Sequence, residues 1–202
     1  MLGESGLTFA IWFKSSSSGA WARVMEFGNG APSNTIDVTV SRSGTGILGY
    51  EVQPGGSGYG NNIDSGLSVN DNTWRHLAWT ISTDGTWKLY INGALYRTDT
   101  GQPVPAYIFR TNAWLGKSEW GDAPFNGWMD EFRIYKSVLG LSDITALYSS
   151  TAPGTTTTTT TTNTPSTATT AYNNFHYLYY YYYYYYYYNC CCYYYFYYYD
   201  YY

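Results

Sequence analysis

The amino-acid sequence predicts an all-β fold, an antiparallel two-sheet sandwich or jelly roll that carries one short helix near its end. Three observations support this class. Apolar residues recur at every second position in several short segments, which is typical of strands with one buried face. Two Asx-Gly dipeptides separate pairs of these segments, as in β-hairpins. Loops rich in Gly, Ser and Asn connect the other segments.

Each predicted strand follows from one such alternation of apolar and more polar residues. The apolar series are Leu7, Phe9, Ile11 and Phe13; Ile36, Val38 and Val40; Leu77, Trp79 and Ile81; Trp87, Leu89 and Ile91; and Phe132 with Ile134. Because alternate side chains of a strand share a face, we expect each series to point into a common core.

Turns and loops are predicted between these strands. Asp84-Gly85 and Asn92-Gly93 favour positive φ, as the tight primed turns of hairpins require. The predicted loops are residues 15–19, 28–34, 54–72 and 117–124. Residues 141–148 predict the helix, with Ser142 as its N-cap. Its apolar face would comprise Ile144, Leu147 and Tyr148.

Composition divides the chain into three segments. All ten Lys and Arg residues and all eight Trp residues lie in residues 1–150, which are long enough for one sandwich domain. Residues 151–170 are Thr-rich, and residues 171–202 contain most of the 27 Tyr and all three Cys. The net charge of −4 argues against a nucleic-acid-binding protein. The sequence also lacks a long apolar run typical of a transmembrane helix.

Three segments carry a family resemblance. Residues 7–14 (LTFAIWFK), 71–98 and 125–148 resemble, in order and spacing, the laminin-G-like jelly rolls of the concanavalin A-like lectin/glucanase superfamily. The third is the most specific, with Asp-Glu-Phe-Arg-Ile-Tyr followed by a short helix. The resemblance covers about residues 6–149. It implies two packed antiparallel sheets and an extracellular or surface-displayed module that binds glycans or proteins.

The start of the chain departs from that family. Its members normally begin with a strand that precedes the equivalent of residues 7–14 and pairs beside the last strand, whereas only MLGES stands here. One interpretation is a fragment of a longer protein, with the first strand and a signal peptide upstream. The alternative is a structural subunit of an extracellular fibre, in which a strand from a neighbouring chain completes an open edge at residues 126–135.

The sequence predicts no enzymatic activity. Glucan hydrolases of the superfamily carry paired carboxylates on one strand, and glycoside hydrolysis needs two carboxyl groups flanking the bond. No Glu-x-Asp-x-Glu occurs, and Asp130 and Glu131 would point to opposite faces of a regular strand. His76 is expected to make structural hydrogen bonds. The other candidate acids, which have no acidic neighbour in sequence, are Glu26, Glu51 and Glu119. A glycoside hydrolase is therefore the weakest alternative.

Sugar binding is predicted at aromatic residues in polar loops, because sugar rings stack on aromatic planes. Trp120 lies in a Gly/Asp/Pro loop with little core to fill and is the best candidate. Tyr59, in GGSGYGNN, is the second. The remaining Trp residues are expected to pack in the core or on a sheet face: Trp12, Trp21, Trp74, Trp79, Trp87, Trp114 and Trp128.

A calcium site is a weaker hypothesis. Calcium takes several oxygen ligands, and some members of the resembled family hold one at the rim of the sandwich. The candidate ligands are Asp122, Asn126 and Asp130. The alternative is that Asp122 stabilises a loop turn and that Asp130 accepts backbone hydrogen bonds.

The Thr-rich segment predicts a mucin-like stalk, because Ser/Thr-rich sequence with Pro is typical of O-glycosylated stalks. A plain disordered linker is the alternative. The sequence contains no Asn-x-Ser/Thr sequon, so any glycan would be O-linked. The candidate attachment sites are Thr155, Thr156, Thr157, Thr158, Thr159, Thr160, Thr161, Thr162, Thr164, Ser166, Thr167, Thr169 and Thr170.

The Tyr-rich tail has two interpretations. Read literally, it is a β-prone, aggregation-prone segment that would be adhesive or cross-linked. Read through the genetic code, repeated ACT codons for Thr become TAC codons for Tyr in a shifted frame, and Cys arises where the Thr-rich frame has Ala. The tail would then be a frameshifted continuation of the stalk. The run Cys190, Cys191 and Cys192 also lacks metal-ligand spacing.

Overall fold

The computed structural model describes residues 5–55 and 61–153, which form two antiparallel sheets and one helix. This confirms the predicted all-β jelly-roll sandwich with a short C-terminal helix. The elements in chain order are β1 (Leu7–Ser15), β2 (Arg23–Gly28), β3 (Ile36–Thr39), β4 (Ile47–Val52), β5 (Asn61–Ser68), β6 (Arg75–Ile81), β7 (Trp87–Ile91), β8 (Ala94–Asp99), β9 (Asn112–Leu115), β10 (Gly127–Tyr135) and α1 (Leu141–Ser150). A short 3₁₀ turn, Arg42–Gly44, precedes β4.

The first sheet has the order β10-β1-β6-β7-β8. All five of its strands coincide with segments in which the sequence predicts a strand or a hairpin. The Asn92-Gly93 turn between β7 and β8 is the tight primed turn that was expected, because Asn92 has φ 51° and Gly93 has φ 79°.

The Asp84-Gly85 hairpin forms, but its turn is not the predicted primed turn. Only Gly85 has a positive φ, of 78°. The amide of Ser82 donates to the carbonyl of Thr86 at 2.9 Å, and the amide of Gly85 donates to the carbonyl of Ser82 at 3.1 Å. The Asp84 carboxylate accepts a hydrogen bond from the amide of Thr86 at 2.9 Å. The side chain of Asp84 thus stabilises a longer loop, and the backbone of Asp84 does not adopt positive φ.

The second sheet has the order β5-β4-β3-β2-β9, and only β3 was predicted. Residues 54–72 were expected to be a loop, yet β5 lies within them. Its sequence, NNIDSGLS, is rich in residues that favour turns when they stand alone. Pairing with β4 satisfies the backbone of β5 and overrides that local preference.

The hydrophobic core fills the space between the two sheets. Phe9, Tyr50, Trp79 and Trp87 are fully buried there. The rings of Trp79 and Trp87 meet edge to face with centroids 5.1 Å apart. The apolar faces predicted by alternation therefore point into one common core.

Helix α1 covers part of the outer face of the first sheet. Ile144 is fully buried beside Ala10, Ala78 and Tyr90. The ring of Tyr148 stacks on Trp12 at a centroid distance of 5.4 Å. The predicted helix face is thus confirmed, with Leu147 also packed against this cluster.

The predicted N-cap of the helix is wrong. The helix begins at Leu141 with Gly140 as N-cap, so Ser142 lies inside the first turn. The amide of Gly140 donates to the Asp143 carboxylate at 3.2 Å, and the expected hydroxyl cap does not form.

Among the described residues, β10 pairs on one side only, with β1, and is therefore an edge strand. Its register is interrupted by a bulge where Glu131 has φ 52°. The expectation that Asp130 and Glu131 alternate as on a regular strand does not hold at this bulge. A bulge and nearby charges such as the Glu131–Arg133 ion pair hinder edge-to-edge pairing of strands. These features disfavour the predicted strand addition at residues 126–135.

No helix among the described residues is both long and apolar enough to cross a membrane. Tyr59, the O-glycosylation candidates and the Tyr-rich tail lie outside the described residues. The sequence predicts that the sandwich domain ends at residue 150. Next to this boundary, the hydroxyl of Thr151 accepts a hydrogen bond from the indole of Trp12 at 2.9 Å.

Candidate functional site

The outer face of the second sheet is lined with polar side chains, and we call it the polar face. One register row crosses its strands from β2 to β5 through Glu26, Asp37, Glu51 and Asn62. Trp114 of β9 pairs with Glu26 and extends this row to the edge of the sheet. A continuous band of acidic and amide side chains therefore lies opposite the apolar core.

A bulge in β2 adds Arg23 to this face. The pairing of β2 with β3 shifts register between Arg23 and Met25. Val24 and Met25 are both buried in the core, so Arg23 and Glu26 can both point outward. The same shift breaks the period-two pattern, and this explains why β2 was not predicted.

Arg23 links the polar face to the loop of residues 117–124. Its guanidinium lies 2.6 Å from Glu26 and 3.7 Å from Asp37. It also forms an ion pair with Asp122 and donates to the hydroxyl of Ser118 at 2.9 Å. Its side chain is only 6% exposed, so these are contacts of a desolvated cation.

The acids around Arg23 converge although none has an acidic neighbour in sequence. Burial raises the pKa of Asp37 well above its usual range, and Glu51 and Glu26 raise it further while Arg23 lowers it. Burial also raises the pKa of Glu26, against the effect of Arg23. Glu26 and Glu51 have no acidic neighbour in sequence, but strand pairing places both beside Asp37 across the sheet.

These converging carboxylates are closed off from solvent. Glu26, Asp37 and Glu51 are at most 5% exposed. Glu51 accepts hydrogen bonds from the side-chain amides of Gln53 and, at 2.5 Å, Asn62. Their arrangement suits the structural role of holding strands and loop together.

Trp120 stands in the loop that Arg23 anchors. The amide of Trp120 donates to the hydroxyl of Ser118 at 2.9 Å, and the amide of Glu119 donates to Glu26 at 2.7 Å. The Trp120 side chain remains 37% exposed. The loop backbone is thus fixed while Trp120 stays partly exposed to solvent, which agrees with the exposure predicted from the sequence.

Beside this loop, three side-chain oxygen atoms lie close to Gly28. A Cβ on Gly28 would lie 3.2 Å from Glu119 Oε1, 3.2 Å from Thr35 Oγ1 and 3.3 Å from Glu119 Oε2. These atoms, with Asp37 Oδ2 and Gln53 Oε1, have no hydrogen-bond partner within the described part of the chain. These oxygens are buried, so they belong to the packing beneath the loop and are not contacts for a ligand at the surface.

The three calcium candidates have other roles in this structure. Asp122 pairs with Arg23. The carbonyl of Asn126 accepts the amide of Ser16 at 2.9 Å, and Asp130 accepts the amide of Glu131 at 2.8 Å, as its structural alternative expected. Residues 5–55 and 61–153 contain no group of three His, Cys, Asp or Glu side chains placed to hold a metal ion. The calcium site stays a prediction.

The other Trp residues only partly follow their predicted packing role. Trp79 and Trp87 lie in the core, and Trp12 lies beneath α1. Trp21 and Trp114 flank the polar face and carry the cations of Arg42 and Lys117 over their rings, at 5.8 and 4.2 Å. Trp128 is 55% exposed, which its strand position alone could not predict.

Comparison with known proteins places the fold in context. The Laminin_G_3 family model, described as the concanavalin A-like lectin/glucanases superfamily, matches residues 1–145. No curated protein matches the chain significantly. Domain 4 of AbnA, an extracellular arabinanase from Geobacillus stearothermophilus solved with arabinotriose, is 26% identical, with a TM-score of 0.57; the match covers 71% of this chain and 68% of that domain.

Two more distant structures share the fold. The CBM40 module of the Ruminococcus gnavus IT-sialidase is 21% identical, with a TM-score of 0.58, over 72% of this chain and 84% of the module. The binding domain of botulinum neurotoxin serotype G is 16% identical, with a TM-score of 0.53, over 71% of this chain and 36% of that domain.

Proposed function

The chain belongs to the concanavalin A-like lectin/glucanases superfamily, and we propose that it is a non-catalytic module that binds a glycan or glycoprotein. The proposed site is the loop of residues 117–124 together with the adjoining part of the polar face. The observation that carries the proposal is Trp120, an exposed indole on a loop held by buried polar contacts. A fixed aromatic plane beside hydrogen-bonding groups suits the apolar face of a sugar ring.

A neutral, hydroxyl-rich glycan fits this site better than an acidic one. Around Arg23 lie the carboxylates of Glu26, Asp37 and Asp122, so acids outnumber the cation. Exposed Trp120 offers an apolar plane for a sugar ring, while the partly exposed carboxylate of Asp122 would repel a ligand carboxylate. The arabinanase domain, solved with a neutral pentose oligosaccharide, supports the same class.

The carboxylates of the polar face support a binding role over hydrolysis. A hydrolase places two carboxyl groups on either side of an accessible glycosidic bond. Glu26, Asp37 and Glu51 are buried, and Glu26 and Glu51 are engaged by protein donors. A glycosidic bond would not reach them without displacing the loop that carries Trp120.

Replacing Trp120 tests the proposed site directly. We expect Trp120→Ala to weaken arabinotriose binding about tenfold, since loss of a stacking surface costs roughly 1.4 kcal/mol. Isothermal titration calorimetry of the 202-residue chain measures the affinity. Tyr96→Ala, which removes an aromatic side chain that is 45% exposed on β8 of the first sheet, should leave it unchanged. Equal affinities for wild type and Trp120→Ala would reject the site.

Tyr59 remains a proposed second contact. We further propose that the Thr-rich segment is an O-glycosylated stalk and that the protein is extracellular or displayed on the cell surface. The composition of residues 151–170 supports the stalk, and the secreted arabinanase agrees with the location. The fibre subunit gains no support from the bulged and charged β10 edge.

The stalk is tested by mass spectrometry of the natural protein, intact and after digestion. We expect Thr-rich peptides that carry a series of hexose-sized mass additions. Unmodified peptides covering Thr155 to Thr170 would favour a plain linker. Tyr-rich peptides from residues 171–202 would show that the tail is translated as written and would contradict the frameshift interpretation.

A further inference from the structure

A second aromatic row lies on the outer face of the first sheet, on the side of the molecule away from the polar face. Lys14 of β1 pairs directly with Trp128 of β10. Its ammonium lies 5.5 Å from the ring centroid of Trp128 and 5.6 Å from that of Trp74. We call these three residues the Trp–Lys–Trp row.

The row lies on the part of this face that α1 leaves open. The helix packs over Ala10, Ala78 and Trp12. Lys14 and Trp128 lie beyond them along β1 and β10, and Trp128 keeps 55% of its surface exposed. Contiguous apolar surface, unlike a singly exposed side chain, marks an interaction site, and Lys14 joins Trp128 to the half-buried Trp74 here.

The charge of Lys14 is available to a ligand. Lys14 forms no ion pair with any acid in residues 5–55 and 61–153, whereas the neighbouring Arg75 is held by both oxygens of Asp71 at 2.6 and 2.7 Å. Two indole rings hold the ammonium in a defined place by cation–π attraction. The row therefore offers aromatic surface and one fixed positive charge.

We propose that the Trp–Lys–Trp row is a second carbohydrate site, and that it binds a saccharide carrying a carboxylate. The indoles would pack against the apolar faces of sugar rings, and Lys14 would donate a charge-assisted hydrogen bond to the carboxylate. The preference is opposite to that of the polar face, where acids predominate. The two sheets of the sandwich would thus bind glycans of different charge.

Titration with trigalacturonate, an acidic trisaccharide, tests this proposal on the full chain. We expect binding that weakens at least tenfold in Lys14→Gln and in Trp128→Ala, and that falls as salt rises because the interaction is ionic. Lys88→Gln is the matched control: it removes the same charge from β7 of the same sheet. It should retain wild-type affinity.

Several results would overturn the second site. It is rejected if trigalacturonate does not bind, if Lys88→Gln loses as much affinity as Lys14→Gln, or if triglutamate competes as well as the sugar. The last result would mean that charge alone is recognised. Trp120→Ala should leave trigalacturonate binding intact, so failure of this proposal is distinguishable from failure of the neutral-glycan site. Unchanged thermal melting of each variant verifies that it is folded.

Discussion

Arg23→Met is expected to destabilise the domain by about 3–5 kcal/mol at neutral pH, because it leaves buried acids without their cation. Glu26 and Asp37 would keep their burial and lose the charge that lowers their pKa values. The loop of residues 117–124 would also lose its link to Asp122. Urea unfolding followed by Trp fluorescence measures the change in the free energy of unfolding.

The defect of Arg23→Met should shrink as pH falls. An acid whose pKa is raised in the folded state destabilises folding only above its ordinary pKa, where the unfolded chain releases the proton and the folded protein keeps it. Below about pH 4, Glu and Asp are protonated in both states, and the penalty disappears. A defect that is constant from pH 4 to pH 7 would contradict the assigned role of Arg23.

Arg75→Met is the matched control for this experiment. Arg75 forms an ion pair with Asp71, whose side chain is 52% exposed. The Arg75 side chain is 13% exposed, but water already solvates the Asp71 carboxylate, so this pair should contribute only about 1 kcal/mol. A loss as large as that of Arg23→Met would mean that burial of the Arg23 cluster is not what makes it important.

Trp12→Ala is expected to cost about 3–5 kcal/mol, since it removes a large buried side chain and leaves a cavity. Trp12 is 5% exposed and holds α1 through its stack on Tyr148 and its hydrogen bond to Thr151. We also expect the helix to detach from the sheet. Hydrogen exchange of the α1 amides should accelerate beyond that of the β6 amides.

Trp128→Ala provides the comparison. It removes the same side chain from the same face of the first sheet, but at a position that is 55% exposed. Less than about 1 kcal/mol should be lost, mainly the cation–π contact with Lys14. If Trp12→Ala lost as little stability as Trp128→Ala, the contact between Trp12 and α1 would contribute little to the stability of the domain.

The first sheet could be predicted from sequence because its signals are local. β1 and β6 alternate strictly, and Asn92-Gly93 marks a hairpin within a few residues. β4 carries the same signal in Leu48, Tyr50 and Val52, so the period-two rule could have identified it. β2 and β5 could not be found in this way, because a bulge interrupts one and turn-favouring residues fill the other.

The same distinction between local and long-range signals applies to the candidate sites. Trp120 could be selected because a Trp in a polar loop has little core to fill, and its exposure agrees with this reasoning. The Arg23 cluster could not be selected, since its contacts join residues 23, 26, 37 and 122 across three separate chain segments. Trp128 looked like a packing residue because alternation does not reveal whether a helix covers that part of a sheet.

The sequence by itself determined the fold class, the first sheet, the helix and the exposed Trp120, because periodicity, turn dipeptides and loop composition act between near neighbours in the chain. The tertiary structure decided which acids share the polar face, which cation stabilises them, and which Trp residues α1 leaves exposed. Those outcomes depend on strand order and register, which are set by the joint burial of apolar faces from distant segments.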